Sequence, residues 1–152
     1  MKKEVHILFN QELVDKYKEY YFNKYPRRTK FDISATCISL NKFTSMIRMS
    51  QANEKIKYAD FCQFVLEHYD VPKLNLTNCK LTLIYKWKDK RRRDYDNFAC
   101  ISLKYNMDQM VKYGLLKDDS FEIIKSVDLR MEYVKSDSST MEFVFEYDDE
   151  LN

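Results

Sequence analysis

At 152 residues, with 45% hydrophobic and 33% charged side chains, the chain has the size and apolar content of one globular domain, and aromatics at 15% exclude a disordered one. Gly114 is the only glycine, so neither a G-x-G-x-x-G dinucleotide turn nor a G-x-x-x-x-G-K-[ST] phosphate loop can be written, and no nucleotide cofactor of those types is expected. His6 and His68 are far apart, which argues against a His-rich metal site or a His-dependent triad and leaves carboxylates to carry any catalysis.

The net charge of +2 hides a gradient: residues 1–30 hold eight Lys/Arg against four Asp/Glu, whereas residues 136–152 hold six acids and no base. Between them, Lys86-Trp87-Lys88-Asp89-Lys90-Arg91-Arg92-Arg93 places six bases in eight positions, a density that suits a polyanion, although such runs are more often solvated surface. Cys37, Cys62, Cys79 and Cys100 form no C-x-x-C pair and read as buried thiols. No apolar run approaches a membrane span and the N-terminus lacks the apolar stretch of a signal peptide, so a cytoplasmic protein without membrane contacts is expected.

In chain order, Val5, Ile7 and Phe9 suggest a short first strand, and Leu13, Tyr17 and Tyr20 a short helix before the Tyr25-Pro26-Arg27-Arg28 break. Phe31, Ile33, Ala35 and Cys37 alternate weakly as a strand. Tyr58, Phe61, Cys62, Val65 and Leu66 recur at helical spacing over Ile56 to His68, ahead of Asp70-Val71-Pro72. Residues 79–88 alternate most clearly, with Cys79, Leu81, Leu83, Tyr85 and Trp87 on one face. A second helix is expected from about Asn97 to Tyr113, with Cys100, Leu103, Met107, Met110 and Val111 as its buried stripe and Gly114 as a left-handed stop. Phe121, Ile123, Val127, Leu129, Met131 and Tyr133 then share the face of a long strand, Ser136 to Ser139 turn, and Met141, Phe143, Phe145 and Tyr147 alternate on a returning strand, which reads as a hairpin. The pattern predicts a single α+β domain with a mixed sheet of four to five strands and two main helices.

Asp94-x-Asp96-Asn97 follows the basic run at a strand-to-helix junction, and the helix leads on to Lys117-Asp118-Asp119-Ser120, so a second carboxylate pair can approach the first. Hard oxygens of this kind select Mg²⁺ or Mn²⁺. Lys104 shares a helical stripe with Asn97, Ile101 and Asp108, from which it can lean toward the carboxylates. From spacing alone, capping and turn chemistry are a slightly better account of these acids.

The block Arg91-Arg92-Arg93-Asp94-Tyr95-Asp96-Asn97, followed by a helix, Gly114 and Asp118-Asp119-Ser120, resembles the RusA-type Holliday junction resolvases, endonucleases of bacteria and their phages. A weaker match joins Ile38-Ser39-Leu40-Asn41-Lys42-Phe43 to Lys57-Tyr58-Ala59-Asp60. The resemblance covers residues 31–147, making 31–152 the endonuclease domain and 1–30 an N-terminal extension. It implies a homodimer that binds four-way DNA junctions and cuts paired strands with Mg²⁺ held by Asp94, Asp96 and Asp119, with Asp118 beside them. The family's helix lysine falls on Cys100 when counted forward from Asp96 and on Lys104 when counted back from Gly114; an inserted helical turn keeps Lys104 on the same face. Lys88, Lys90, Arg91, Arg92 and Arg93 would grip DNA phosphates. The rival expectations are a branched-DNA-binding protein on the same fold without catalysis, and an interaction module whose basic strand docks an acidic partner.

Overall fold

The computed structural model describes all 152 residues. Strand β1 (Lys2–Phe9) buries Val5, Ile7 and Phe9 and exposes Lys2, Glu4 and His6. It pairs antiparallel with β4 (Thr140–Asp148), which pairs antiparallel with β2 (Cys79–Trp87), and β3 (Ile124–Tyr133) lies parallel to β2 at the far edge. The helices are α1 (Gln11–Lys24), α2 (Leu40–Ser45), α3 (Arg48–His68) and α4 (Tyr95–Tyr113). The chain is therefore an α+β domain on one four-stranded mixed sheet, and no helix is long and apolar enough to cross a membrane.

Local chemistry sets the helix ends. Asn10 caps α1 by accepting from the Leu13 N–H at 2.9 Å, and Ser39 caps α2 through the Lys42 N–H at 3.2 Å. Gly114 ends α4 at φ 100°, a left-handed conformation that a side chain would strain. On α3 the buried residues are Tyr58, Phe61, Cys62, Val65 and Leu66, the set that the spacing predicts, although the helix starts eight residues earlier than Ile56.

Several expectations are corrected. Residues 1–30, expected as an N-terminal extension, are packed into the same domain: β1 is an edge of the sheet, and α1 buries Leu13, Val14 and Tyr17 in the common core. Residues 31–37 form no strand; Ile33, Ala35 and Cys37 do point inward, but the backbone turns, with Cys37 N–H donating to the Ser34 carbonyl. The expected β3–β4 hairpin does not form, because β2 lies between the two strands. The Val134 to Ser139 connection crosses the end of β2, where Ser139 Oγ accepts from the Lys88 N–H at 3.0 Å. Bridging two strand spacings takes only about 10 Å, well within the reach of six residues, so the turn sequence is the same for either topology.

The buried face of α4 is also rotated from the expected stripe. Met107 and Met110 are buried as expected, together with Ala99, Ile101, Ser102, Tyr105 and Asn106, while Cys100 is exposed. Because α4 packs against α3 as well as the sheet, its covered arc is wide enough to bury polar Ser102 and Asn106. Both are satisfied along the helix: Ser102 Oγ donates to the Phe98 carbonyl at 3.1 Å and Asn106 Nδ2 to the Ser102 carbonyl at 2.7 Å. Burial raises the other three thiols, Cys37 to about 12 and Cys79 to about 11, with Cys62 higher still, which keeps them protonated and unreactive.

Candidate nucleic-acid interface and carboxylate sites

The basic run leaves β2 as a tight loop that α4 takes up at Asp94. Its centre is Arg93, whose side chain is only 10% exposed. The Arg93 guanidinium lies 4.0 Å from the Trp87 ring centroid, and its Nη1 donates to Asp89 Oδ1 at 2.8 Å and to the Arg91 carbonyl at 3.2 Å. That hydrogen bond, followed by one from the Arg91 N–H, holds the Asp89 carboxyl below the usual carboxylate range. Arg93 thus folds the loop and is not free to grip a phosphate. Arg93→Ala is expected to cost about 1–3 kcal/mol in urea denaturation, by loss of a charge-assisted hydrogen bond and a cation–π contact. Arg92→Ala, by contrast, is expected to stay within about 0.5 kcal/mol.

The remaining bases divide. Arg91 and Arg92 are 78% and 90% exposed, with long contacts to Asp89 and Asp94 at 4.0 and 3.8 Å. Lys88 is exposed, and Lys90 places its ammonium 5.1 Å from the Tyr133 ring centroid. Arg91 and Lys88 border a groove of about 780 Å³ whose other wall includes Gln11, Glu12 and Asp15 of α1 and Ser34 to Thr36. No local pattern foretells that wall, since it is built by packing between segments more than fifty residues apart.

At the head of α4, Asp94 holds the N-cap position but makes no side-chain capping bond, and its side chain is 66% exposed. Asp96 is exposed and accepts only from the Asn97 N–H at 2.9 Å. Neither carboxylate is consumed by the fold. Asn97 Oδ1 accepts from the Asn41 N–H at 3.0 Å, which joins the start of α4 to the start of α2 and brings together the two sequence blocks that carry the family resemblance.

The second carboxylate pair lies elsewhere. Asp119, with Lys104, Leu103 and Met107, lines an apolar groove of about 350 Å³ between α4 and β3. Burial, then the neighbouring charges of Asp108 and Asp118, raises the Asp119 carboxyl above its ordinary value. Asp118 Oδ1 accepts from the Asp119 N–H at 2.9 Å, and Asp108 pairs with Lys55 at 3.7 Å. Lys104 is ten residues along α4 from Asp94, or about 15 Å of helix axis. Lys104 and Asp119 thus line one groove, which Asp94 and Asp96 do not. No group of three or more His, Cys, Asp and Glu side chains is placed to hold one metal ion.

No protein-family model matches the chain, and no curated protein matches it.

Proposed function

We propose that this protein is a Mg²⁺-dependent, structure-selective endonuclease acting on branched DNA such as a four-way junction. The observation that carries the reading is the pairing of two exposed carboxylates, Asp94 and Asp96, with the exposed guanidiniums of Arg91 and Arg92 on the same turn of chain, held only by long contacts to Asp89 and Asp94 at 4.0 and 3.8 Å. Oxygen donors of this kind fit a hard divalent cation and leave positions open for water and a phosphate oxygen. Bound there, Mg²⁺ or Mn²⁺ would supply a more acidic water for in-line attack on a phosphodiester. Asp94 and Asp96 would hold the ion, Arg92 beside Asp94 would offset charge gathering on the phosphoryl oxygens, and Arg91, Lys88 and Lys90 would seat neighbouring phosphates. A homodimer would present two such sites to opposed strands.

A second reading, branched-DNA binding without cleavage on the same surface, is favoured by the separation of Asp119 and Lys104 from the Asp94 end of α4. A synthetic four-way junction distinguishes them. Cleavage in Mg²⁺ with binding alone in Ca²⁺ supports the nuclease, binding in both without cleavage supports the second reading, and no salt-dependent binding leaves only the interaction module. Because Arg93 is held within the fold, replacing Arg91 and Arg92 with Gln is expected to reduce the slope of log affinity against log salt by about two units, at roughly 0.9 per phosphate contact. An unchanged slope would place both side chains away from the DNA.

A further inference from the structure

The C-terminal end of α1 and the chain leaving it build a second surface, outside the basic loop and not used above. Between α1 and α3 opens a cleft of about 730 Å³. Tyr20 and Tyr25 stand at its mouth, 48% and 39% exposed, in front of Phe64, Tyr21 and Phe31. Tyr20 lies 5.6 Å from Phe64 between ring centroids, and Tyr21 and Phe31 stack at 3.8 Å with planes 19° apart. Cations are threaded through these rings. Lys24 Nζ lies 5.9 Å from the Tyr20 centroid and 5.6 Å from that of Tyr25, while the Arg28 guanidinium sits 5.1 Å from Tyr25 and donates to the Tyr21 hydroxyl at 2.7 Å.

Charge across the cleft is one-sided. The lip from residue 24 to residue 30 carries Lys24, Arg27, Arg28 and Lys30 with no acid, whereas the α3 wall carries Glu54, Asp60 and Glu67 against a single base, Lys57, which is already paired with Glu54 at 2.6 Å. An anionic chain therefore has one favoured track, along the lip, and that track runs beside two rings that are only half covered. Most of this protein's aromatic side chains serve the core, but Tyr20 and Tyr25 remain 48% and 39% exposed beside Lys24 and Arg28, where burial alone gives no reason for them. A polyanion with exposed π-faces satisfies both features. A duplex keeps its base faces stacked inside, and an acidic peptide offers charge without faces.

We infer that this cleft binds single-stranded nucleic acid, with phosphates along Lys24 to Lys30 and bases against Tyr20 and Tyr25. Stacking of this kind accepts any base, so the site is expected to be sequence-tolerant and salt-dependent. The inference does not rest on the carboxylate site. It adds to the proposed activity a hold on the unpaired strand of a branched substrate: Asp15 borders the Arg91 groove and Tyr21 and Tyr25 the cleft, six and ten residues apart on one helix and its cap, or about 9–15 Å.

Fluorescence anisotropy of labelled oligothymidylate and oligouridylate with the full chain, in EDTA, tests it, the two probes distinguishing DNA from RNA as the preferred strand. The parent is expected to bind at least one of them more tightly than a duplex of equal length. Tyr20→Ala with Tyr25→Ala should weaken that binding roughly tenfold or more, whereas Tyr20→Phe with Tyr25→Phe should keep it, because the ring faces are retained. If the alanine pair melts early, Tyr20→Ala alone, at the more exposed ring, is read instead. Parental affinity in the alanine variants, equal loss in the phenylalanine pair, or binding of a polyglutamate peptide but of neither oligonucleotide would overturn the inference. Asp94→Asn should leave oligonucleotide affinity unchanged, so failure of junction cleavage removes the nuclease reading alone, and failure of oligonucleotide binding removes this one alone.

Discussion

Asp94→Asn and Asp96→Asn are each expected to lower Mg²⁺-dependent cleavage of a four-way junction by roughly 10²-fold or more, the scale of losing one well-placed electrostatic contributor to a transition state. Junction binding in Ca²⁺ and the urea midpoint should barely move. Each substitution keeps side-chain volume, neither carboxylate is buried, and Asp94 makes no capping bond that the helix would miss. Removal of a negative ligand is then the main change. The internal control is the α4–β3 groove: Lys104→Ala, about 15 Å down the helix axis from Asp94, and Asp119→Asn, which lines the same groove, are each expected to change the rate by less than tenfold. Cleavage that survives Asp94→Asn with Asp96→Asn would remove these ligands from the mechanism. Loss at Asp119 as deep as at Asp94 would mean that the catalytic arrangement draws the groove and the helix terminus together.

Much of the architecture is written in periodicity. The alternation of Cys79 to Trp87 and of Met141 to Phe145 gives two strands with their buried faces correct, and the spacing from Tyr58 to Leu66 gives the inner face of α3. What periodicity lacks is the partner. It cannot say that β2 inserts between β3 and β4, or that the first thirty residues close the sheet through β1, because both depend on contacts distant in sequence. The site divides in the same way. The exposed Asp94 and Asp96 at a strand-to-helix junction were legible from the turn and helix signals, but the position of Asp119 follows from the path of the chain after Gly114. Arg93 shows the limit most sharply. Among three consecutive arginines nothing local marks the one that will lie over Trp87, since that ring's orientation is set by the sheet and α4, where it also packs edge-on to Phe98 at 5.1 Å.

Phe143→Ala is expected to cost about 3–5 kcal/mol, a fifth or more of the roughly 5–15 kcal/mol that holds a domain of this kind together. Phe121→Ala is expected to cost less than about 0.5 kcal/mol. A β3–β4 hairpin with both residues on one inner face would make the two costs alike. The sheet makes them differ. Phe143 is fully buried on the inner strand β4, opposite Ile7 of β1 and Leu83 of β2, with the Phe9 ring 5.9 Å away, so its removal leaves a void bounded by three strands. Phe121 precedes β3 and is 85% exposed. The pairing shows how the phase was lost: Cys79 faces Ile124 and Lys80 faces Ser126, so Lys125 is an extra residue in β3 and the alternation on either side of it belongs to opposite faces. Ile124 turns inward and Phe121 outward, while Val127 to Tyr133 resume the inner face at the sheet's margin, where Val127 and Tyr133 remain about half exposed. Urea denaturation of the two variants measures the contrast, and equal losses would contradict both the bulge and the strand order.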